Sequence, residues 1–342
     1  MTKPIIIAVD AMGGDNAPQK VLDGIELHFN KTENIFYNIF GDKESINSIL
    51  KHKKINTNNF EIIHTDKKIM GEDSALTAAK RGKDTSMWLS IESVKNKTSD
   101  IVLSAGNTGA LFVIAKLNLE MINNIDKPAL SGLWPNKKGI NVVLDLGANI
   151  ECDENNLVDF SEMGAALFKS IFPNQKPYVS LLNIGSEEIK GTEVLKKTYV
   201  KLKSLSNDKN FIFKGYIEGN ELMDGESNVI VTDGFTGNIA LKTAEGTAKF
   251  VVDSLKKSLT ENIFSKLSLI FSYFSLKKFK SKLDPNKYNG AIFLGLNGPV
   301  VKSHGSTNEV GFYYSIDLCY KIIKGNLMDQ IKSNLDHLNV RD

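Results

Sequence analysis

The chain has 342 residues, of which 42% are hydrophobic, so it is long enough for one large α/β domain or for two lobes around a cleft. Its formal net charge is +2, from 42 basic and 40 acidic residues, which argues against nucleic-acid binding through bulk charge and against wholesale adsorption to anionic lipid. Its two cysteines, Cys152 and Cys319, lack CxxC spacing or a Cys/His cluster, so the sequence predicts neither a metal site nor a disulfide framework and fits the cytoplasm.

The first predicted element is a buried strand over residues 5–9, and it leads directly into a loop with two adjacent glycines. The loop contains Asp10, Gly13, Gly14 and Asp15. Paired glycines permit backbone torsions and close approaches that a Cβ forbids, which suits a loop whose amides crowd an anion or a facing loop. The two aspartates are suited either to bind substrate or to brace the loop as caps.

Two later strands, predicted at 101–103 and 229–231, also run into glycine-containing loops. The first of these loops covers residues 104–110 and the second covers residues 233–238. Ligands of parallel α/β sheets collect at the carboxyl ends of the strands, where loops and helix N-termini present free amides. We therefore expect the three glycine loops to meet at one binding site.

Short β-branched runs alternate with amphipathic stretches along the chain. Further strands are predicted at 35–40, 60–64, 141–146, 179–184 and 211–213. A helix over 155–172 is predicted from one apolar face, made of Leu157, Phe160, Gly164, Leu167 and Ile171. This alternation predicts a three-layer α/β fold, with a mostly parallel sheet and helices on both faces. No linker interrupts it, so residues 1–342 are predicted to form a single catalytic unit.

Four common catalytic motifs are absent from the sequence. It has no dinucleotide fingerprint in a strand-turn-helix unit, no Walker A sequence, no G-x-S-x-G elbow and no H-E-x-x-H helix. These absences disfavour a Rossmann dehydrogenase and the commonest phosphotransferase, hydrolase and zinc chemistries. A nucleophile supplied by the substrate fits the sequence better.

Arginine is almost absent, since Arg81 and Arg341 are the only two in the chain. The planar guanidinium of an arginine suits binding of a phosphate or a carboxylate, and Lys80 directly precedes Arg81. Lys80 and Arg81 are therefore candidate anion ligands, with an ordinary surface position as the alternative.

The stretch 261–282 is rich in aromatic residues and edged with lysine. On a helix, one apolar stripe would contain Ile263, Leu267, Ile270 and Phe274. Lysines gather toward the C-terminal end, where each would gain about 1 kcal/mol near anionic headgroups. The pattern predicts a segment that contacts a membrane surface reversibly, or one that lies in a dimer interface or in the core. It is too interrupted to span a bilayer.

Six segments carry distinctive motifs in order along the chain: 8–18, 104–111, 144–149, 181–191, 231–238 and 301–305. Together they resemble the bacterial phosphate acyltransferases, which move a fatty acyl group from acyl carrier protein to inorganic phosphate. The resemblance covers nearly the whole chain. It implies a fold related to phosphotransacetylases and to isocitrate and isopropylmalate dehydrogenases, and a homodimer. It also implies a role at the start of phospholipid synthesis, in which a membrane glycerol-3-phosphate acyltransferase takes the product.

The residue chemistry suits direct attack of phosphate on a thioester. Phosphate is partly a dianion near neutral pH, since its second pKa is roughly 6 to 7. The protein must then supply an anion cradle, a donor for the tetrahedral oxyanion and a slot for the carrier's pantetheine. The catalytic candidates are Lys190 as a point charge, and Asn107 and Asn238 as neutral donors. A surface ion pair with Glu187 is the alternative for Lys190.

The candidate substrate-binding residues lie in the three glycine loops and in the segment 301–305. They are Asp10, Gly13, Gly14, Asp15, Ser104, Gly106, Thr108, Gly109, Asp233, Gly234, Thr236, Gly237, Lys302, His304 and Gly305. His304 would assist proton transfer or bind phosphate, with a structural role as the alternative. No cofactor and no metal are expected. Three other functions stay open: a short-chain phosphotransacetylase using coenzyme A, a metal-dependent decarboxylating dehydrogenase, and a non-catalytic membrane scaffold that binds acyl carrier protein.

Overall fold

A single large sheet organises the chain in the computed structural model, which describes residues 3–206, 210–282 and 284–336. Its strands are β1 (Ile5–Asp10), β2 (Ile35–Gly41), β3 (Phe60–His64), β4 (Ile101–Ser104), β5 (Ala129–Pro135), β6 (Ile140–Leu144), β7 (Tyr178–Leu182), β8 (Ile212–Ile217), β9 (Val229–Val231), β10 (Ala291–Leu294) and β11 (Val300–Lys302).

Helices cover both faces of this sheet. They are α1 (Gln19–Phe29), α2 (Lys43–Leu50), α3 (Ala75–Arg81), α4 (Ser86–Lys95), α5 (Thr108–Leu119), α6 (Glu154–Ile171), α7 (Glu193–Leu205), α8 (Gly234–Thr260), α9 (Ile263–Lys282), α10 (Glu309–Lys324) and α11 (Leu327–Asp336). The predicted three-layer α/β fold is confirmed.

The strand order is β3-β2-β1-β4-β11-β10-β5-β6-β9-β7-β8. The strands from β3 to β11 form one parallel block, and the strands from β6 to β8 form a second. Between them, β10 and β5 make three antiparallel pairings in succession. Three reversals leave the second block running opposite to the first, so the carboxyl ends of the two blocks lie at opposite ends of the strands.

Helix α6 illustrates how the sequence builds the core. Leu157, Phe160 and Leu167 are at most 2% exposed, which confirms the predicted apolar face. A Cβ at Gly164 would lie only 2.8 Å from the side chain of Val229, so glycine lets this helix pack closely on β9. Burying such a face against a sheet is the main source of helix stability in a layered fold.

Helices α8 and α9 form a hairpin whose outer part stands away from the core. Residues 245–258 of α8 are all exposed. In α9, Phe264, Phe271 and Phe274 are 84%, 89% and 81% exposed. This exposure rules out the alternative in which the segment 261–282 is a core helix of this chain.

The predicted apolar stripe of that segment is described only in part. Phe274 is among the described side chains, whereas those of Ile263, Leu267 and Ile270 lie outside the described part of the chain. Within that part, no helix combines the length and apolar character that crossing a bilayer requires.

Candidate active site

The loops that follow β1 and β4 interlock through their glycines. A Cβ at Gly13 would lie 2.6 Å from the amide nitrogen of Gly106 and 2.7 Å from a carboxylate oxygen of Asp10. Gly14 has a φ of +82°, and a Cβ there would lie 2.8 Å from the carbonyl oxygen of Ala105. Side chains at these positions would separate the two loops.

Asp10, the buried last residue of β1, holds these loops in place. Its carboxylate accepts hydrogen bonds from Ser86 Oγ at 2.7 Å, from Ser104 Oγ at 2.6 Å and from the amide of Met12 at 3.2 Å. Ser104 Oγ in turn accepts the amide of Gly106 at 3.0 Å. Burial raises the pKa of Asp10, and the hydrogen bonds from Ser104 and Ser86 oppose that rise. Bracing therefore describes Asp10 better than contact with substrate.

Two buried lysines meet the same loops from β11 and α1. Lys302 is 9% exposed and Lys20 is 4% exposed. Burial, and next the charge of Lys20, lower the pKa of Lys302 to about 8, while Asp10 opposes the shift. The carbonyl oxygen of Gly305 accepts the Lys20 ammonium and, at 3.0 Å, the amide of Asp15. The loop after β11 is thereby tied to the loop after β1.

These loops enclose a cavity of about 430 Å³ at the carboxyl end of the first block. Its described lining comes from Met12, Gly14, Asp15, residues 68–71, residues 105–109, Lys302 and Gly305. The structure thus brings together the predicted residues of the first two glycine loops and of the segment after β11. The stretch 68–71, which includes Lys68, was not predicted, because it has no motif and reaches the cavity only through tertiary contacts.

Asn107 holds the cavity wall together. Its Nδ2 donates to the carbonyl oxygens of Gly71 at 2.7 Å and Asp73 at 3.0 Å, and its Oδ1 accepts the amide of Ala110 at 3.0 Å. Both N–H donors are in use, so in this arrangement Asn107 has none left for a reacting oxygen. The prediction that Asn107 is a catalytic hydrogen-bond donor does not fit this geometry. Its side chain instead caps α5 and holds the loop that contains Gly71 and Asp73.

Backbone amides at the start of α5 are the donors that this cavity does offer. Thr108 and Gly109 are the first two residues of α5, and both line the cavity. The first N–H groups of a helix have no acceptor within it and carry the positive end of the helix dipole. They favour an anion next to the ammonium of Lys302.

A second cluster forms at the carboxyl end of the second block. Asp145 is fully buried and accepts amides from Gly147 at 3.1 Å, Ala148 at 2.9 Å and Asn149 at 2.8 Å. The amide of Gly234 donates to the carbonyl oxygen of Asn149 at 2.8 Å, which docks the start of α8 on this loop. Asp145 therefore shapes a backbone turn.

The third glycine loop and the remaining catalytic candidates lie at this second cluster. Asp233 caps α8 by accepting the amide and hydroxyl of Thr236, each at 2.8 Å. Asn238 Nδ2 donates to the carbonyl oxygen of Leu146 at 3.2 Å. Lys190 is exposed in the loop between β7 and α7 and, in the described part of the chain, makes no ion pair with Glu187. The expectation that all three glycine loops meet at one strand end is wrong, because the second block is reversed.

Helix α8 nevertheless runs from the second cluster toward the first. Burial, and next Lys302, lower the pKa of His304, with smaller opposing and reinforcing effects of Glu245 and Lys242 on α8. His304 is therefore within electrostatic range of that helix. Asn238 lies one turn before Lys242, about 6 Å along the helix axis, on the same face. We take the candidate site to be a cleft between the cavity and this face of α8, because His304, in the loop after β11, feels the charges of Lys242 and Glu245.

Lys80 and Arg81 are exposed at the end of α3, and neither lines the cavity. The residue of this region that reaches the site is Ser86, through its hydrogen bond to Asp10. The predicted anion contact is therefore not present in this arrangement, where Lys68 lines the cavity instead.

Neither cysteine is poised as a nucleophile. Burial raises the pKa of Cys152 to about 11 and raises that of Cys319 as well, and neither lines the cavity. Among the described residues, no group of three His, Cys, Asp or Glu side chains is arranged to hold a metal ion.

Comparisons with known proteins give relatives over the whole chain. The family model described as "Fatty acid synthesis protein" matches residues 5–330. A protein named phosphate acyltransferase from Pelagibacter ubique is 61% identical over 335 residues, covering 98% of this chain and 100% of the relative. Another of that name, from Parvibaculum lavamentivorans, is 43% identical over 341 residues, covering 99% and 94%.

Solved structures share the fold at low identity. The EutD phosphotransacetylase from Staphylococcus aureus superposes with a TM-score of 0.60 at 15% identity, over 94% of each chain. A 4-hydroxythreonine-4-phosphate dehydrogenase from Klebsiella pneumoniae gives 0.51 at 10% identity, over 94% of this chain and 99% of the other. These likenesses confirm the predicted fold, which is shared with phosphotransacetylases and with a dehydrogenase.

Proposed function

Because this chain belongs to the bacterial phosphate acyltransferase family and is an acyltransferase, we propose that it transfers a long-chain fatty acyl group from acyl carrier protein to inorganic phosphate. The products are an acyl phosphate and the free thiol of the carrier. The acyl phosphate is then a substrate for a membrane glycerol-3-phosphate acyltransferase, which leads to phosphatidic acid.

The observation that carries this proposal is the pairing of Lys302 with the amides of Thr108 and Gly109 in one cavity. An ammonium and a helix N-terminus suit a phosphate that must be held and oriented. A phosphate oxygen attacks the thioester carbon, the carbonyl electrons move onto oxygen, and their return expels the pantetheine sulfur as a thiolate. That thiolate takes the proton of the hydrogen phosphate dianion, which becomes acidic once the phosphate is acylated. No covalent enzyme intermediate forms on this route.

The oxyanion of the tetrahedral intermediate requires donors from the thioester side. We assign this role to Asn238, on the α8 helix that runs toward the first cluster, and to Lys190, in the exposed loop after β7. One Nδ2 hydrogen of Asn238 is used on Leu146, which leaves the second for the cleft. Lys190 supplies a point charge from an exposed loop, where it can meet a large substrate.

The chemistry of the cysteines supports direct attack. A thiol is nucleophilic as its thiolate, and the raised pKa values of Cys152 and Cys319 keep both protonated near neutral pH. Neither sulfur lines the cavity. An acyl-enzyme through cysteine is therefore disfavoured.

The test of this function is phosphate-dependent release of carrier thiol from palmitoyl acyl carrier protein, compared with acetyl coenzyme A. The account predicts that the carrier substrate is consumed with the larger kcat/KM. Preference for acetyl coenzyme A would instead favour the short-chain phosphotransacetylase, which the likeness to the Staphylococcus aureus enzyme keeps as second candidate. Turnover that requires a nicotinamide would favour the dehydrogenase, and binding of carrier without turnover would favour the scaffold.

We also propose that the α8–α9 hairpin touches the inner face of the cytoplasmic membrane reversibly, so that the protein is cytoplasmic and peripheral. Support comes from the exposed Phe264, Phe271 and Phe274, with Lys277 and Lys278 exposed on the same helix. Delivery at the membrane surface suits a product that a membrane enzyme consumes.

Contact with a second subunit in a homodimer is the alternative role of this hairpin, since large exposed apolar surfaces also mark subunit interfaces. Sedimentation equilibrium separates the two uses. A dimer that persists when the exposed phenylalanines are replaced places the subunit contact elsewhere and leaves the hairpin for lipid.

Docking of acyl carrier protein is proposed to use exposed lysines, because opposite potentials speed the encounter with an acidic carrier. Lys197 on α7 and Lys190 before it are exposed on the side of the second cluster. Association that weakens with added salt supports this, and salt-independent association kinetics contradict it.

A further inference from the structure

Lys20 is a buried charge that the proposed reaction does not yet use. It lies in the first turn of α1 and is 4% exposed, and Lys302 at the end of β11 is 9% exposed. Lysines are rarely this buried without a partner, because removing an ammonium from water is costly. Two of them that donate to the carbonyl groups of Ser303 and Gly305, only two residues apart, therefore need an explanation.

Neither ammonium is neutralised by a carboxylate in contact with it. Among the described residues, no Asp or Glu lies within ion-pair distance of Lys20 or Lys302. Lys20 donates to the carbonyl oxygen of Gly305, and Lys302 donates to that of Ser303. Each ammonium has three N–H donors, so both keep donors beyond these bonds.

The charged groups around the pair leave one net positive charge, since Lys20, Lys302 and the cavity-lining Lys68 stand against the carboxylates of Asp10 and Asp15. Lys302 faces Lys20 on α1 and Asp10 on β1, and it also acts on His304 in its own loop. Asp15 is the carboxylate that acts on Lys20. The carboxylate of Asp10 already accepts three hydrogen bonds, so it is committed to bracing.

The place where this surplus is available is the cavity. Lys302 lines it together with Thr108 and Gly109, whose amides carry the positive end of α5. Lys20 is not among the residues that line the cavity, but it donates to the carbonyl oxygen of Gly305, which does line it. In this positive field, an oxyanion with two negative charges gains about twice the Coulomb energy of an oxyanion with one.

We propose that Lys20 is a positioning and specificity-determining residue that makes this cavity selective for a divalent oxyanion, the dianion of inorganic phosphate, over singly charged phosphodiesters. This inference rests on the proposed function, which supplies inorganic phosphate as the substrate. The selectivity matters there, because the carrier's pantetheine arm brings a phosphodiester of one charge to the same cleft.

Titration calorimetry of the full chain, without any acyl donor, tests the proposal with three probes: inorganic phosphate, sulfate and dimethyl phosphate. Wild type is expected to bind the two dianions with comparable Kd and dimethyl phosphate at least about tenfold more weakly. Lys20→Met is expected to lose at least about tenfold in affinity for both dianions and much of the discrimination. The exposed Lys116→Met on α5 is the control and should stay within about twofold of wild type.

A charge effect is separated from a packing effect by two further readouts. Lys20→Arg keeps the charge and should keep the preference for dianions. Sulfate remains divalent across the pH range, so its binding to wild type should weaken as pH rises past about 8, where Lys302 loses its proton. Removing Lys20 removes a charge that lowers the pKa of Lys302, so in Lys20→Met this midpoint should move to higher pH.

Two results would overturn the inference: dimethyl phosphate binding wild type as tightly as sulfate, or a folded Lys20→Met variant that titrates like wild type. If Lys20→Met does not fold, the wild-type discrimination and the Lys20→Arg titration still decide. Turnover is measured separately. If the dianions bind as expected but no acyl phosphate forms, the proposed function is wrong and this inference stands. If turnover is normal but Lys20→Met binds the dianions like wild type, this inference is wrong and the proposed function stands.

Discussion

Ser104 Oγ donates to a carboxylate oxygen of Asp10 over 2.6 Å, although the two residues are 94 positions apart in the chain. The same hydroxyl accepts the amide of Gly106, so one side chain joins the first strand to the loop that carries the cavity amides. The anion site thus depends on a buried hydrogen-bond chain that lies under it.

Ser104→Ala should therefore weaken both the fold and the site. It leaves a buried carboxylate and an amide short of a partner, which typically costs about 1–3 kcal/mol of unfolding free energy. The KM for phosphate should rise as the loop loosens. Urea unfolding and phosphate kinetics measure the two effects, with the exposed Ser48→Ala as control. Unchanged stability together with unchanged KM would show that the chain from Asp10 to Gly106 does not hold the loop.

Lys302→Met tests the direct anion ligand. Loss of one preorganised charge contact in an active site commonly costs about 10²–10³ in rate, and we expect that loss in kcat/KM for phosphate. Stability should be unchanged or higher, because a desolvated ammonium is removed. A loss of activity that merely follows a loss of folded protein would contradict the assignment.

The same lysine predicts how stability depends on pH. Its pKa is lowered from 10.5 to about 8 on folding, so between these values the unfolded chain binds the extra proton. The contribution of Lys302 to the free energy of unfolding should therefore rise between about pH 8 and pH 10.5. Below about pH 8, Lys302 is protonated in both states, and the destabilisation by its buried ammonium is fully present. Denaturant unfolding of the unliganded protein over this range, against Lys302→Met, isolates it. Identical pH slopes in the two proteins would contradict the lowered pKa.

Asn107 and Asn238 should respond differently to alanine. Asn107→Ala removes a helix cap and a loop clamp, so it should lower the free energy of unfolding by about 0.5–2 kcal/mol. Asn238→Ala should leave stability nearly unchanged and lower kcat by about 10²–10³, as for loss of an oxyanion donor. Parallel unfolding and single-turnover measurements compare them. The roles are wrong if Asn238→Ala turns over normally.

The hairpin predicts lipid binding that depends on its exposed aromatic residues. Replacing Phe264, Phe271 and Phe274 by serine removes three side chains that would each contribute about 1.5–3 kcal/mol on full burial. Co-sedimentation with vesicles containing anionic lipid should fall to background, while kcat with soluble substrates stays the same. Val200→Ser, which changes an exposed apolar residue on α7, is the control. Undiminished vesicle binding by the triple variant would remove the membrane role.

Much of the fold followed from the sequence, and the errors have a common physical origin. The predicted strands of both blocks and the helix at 155–172 were found, because apolar periodicity reports which face of an element is buried. Strands β5, β10 and β11 were not predicted. They set the antiparallel pairings, and pairing direction depends on which neighbours meet in three dimensions, which periodicity does not encode. The reversed second block was missed for this reason.

The candidate site, like the fold, was predicted from the sequence only in part. Two of the three predicted glycine loops line the cavity, because glycine is needed where loops approach closely, whereas the loop at 233–238 lies at the second cluster. Ser86 and Lys20 gave no local signal, since each acts on a residue far away in the chain. Asn107 did carry one, as it immediately precedes α5, and asparagine before a helix is a common cap.

Intact-protein mass spectrometry decides whether phosphate itself attacks the thioester. The protein is mixed with palmitoyl acyl carrier protein without phosphate, and phosphate is then added. We expect an unmodified protein mass at every time point and palmitoyl phosphate only after the addition. A palmitoyl adduct on the chain that forms without phosphate and decays when phosphate is added would contradict it.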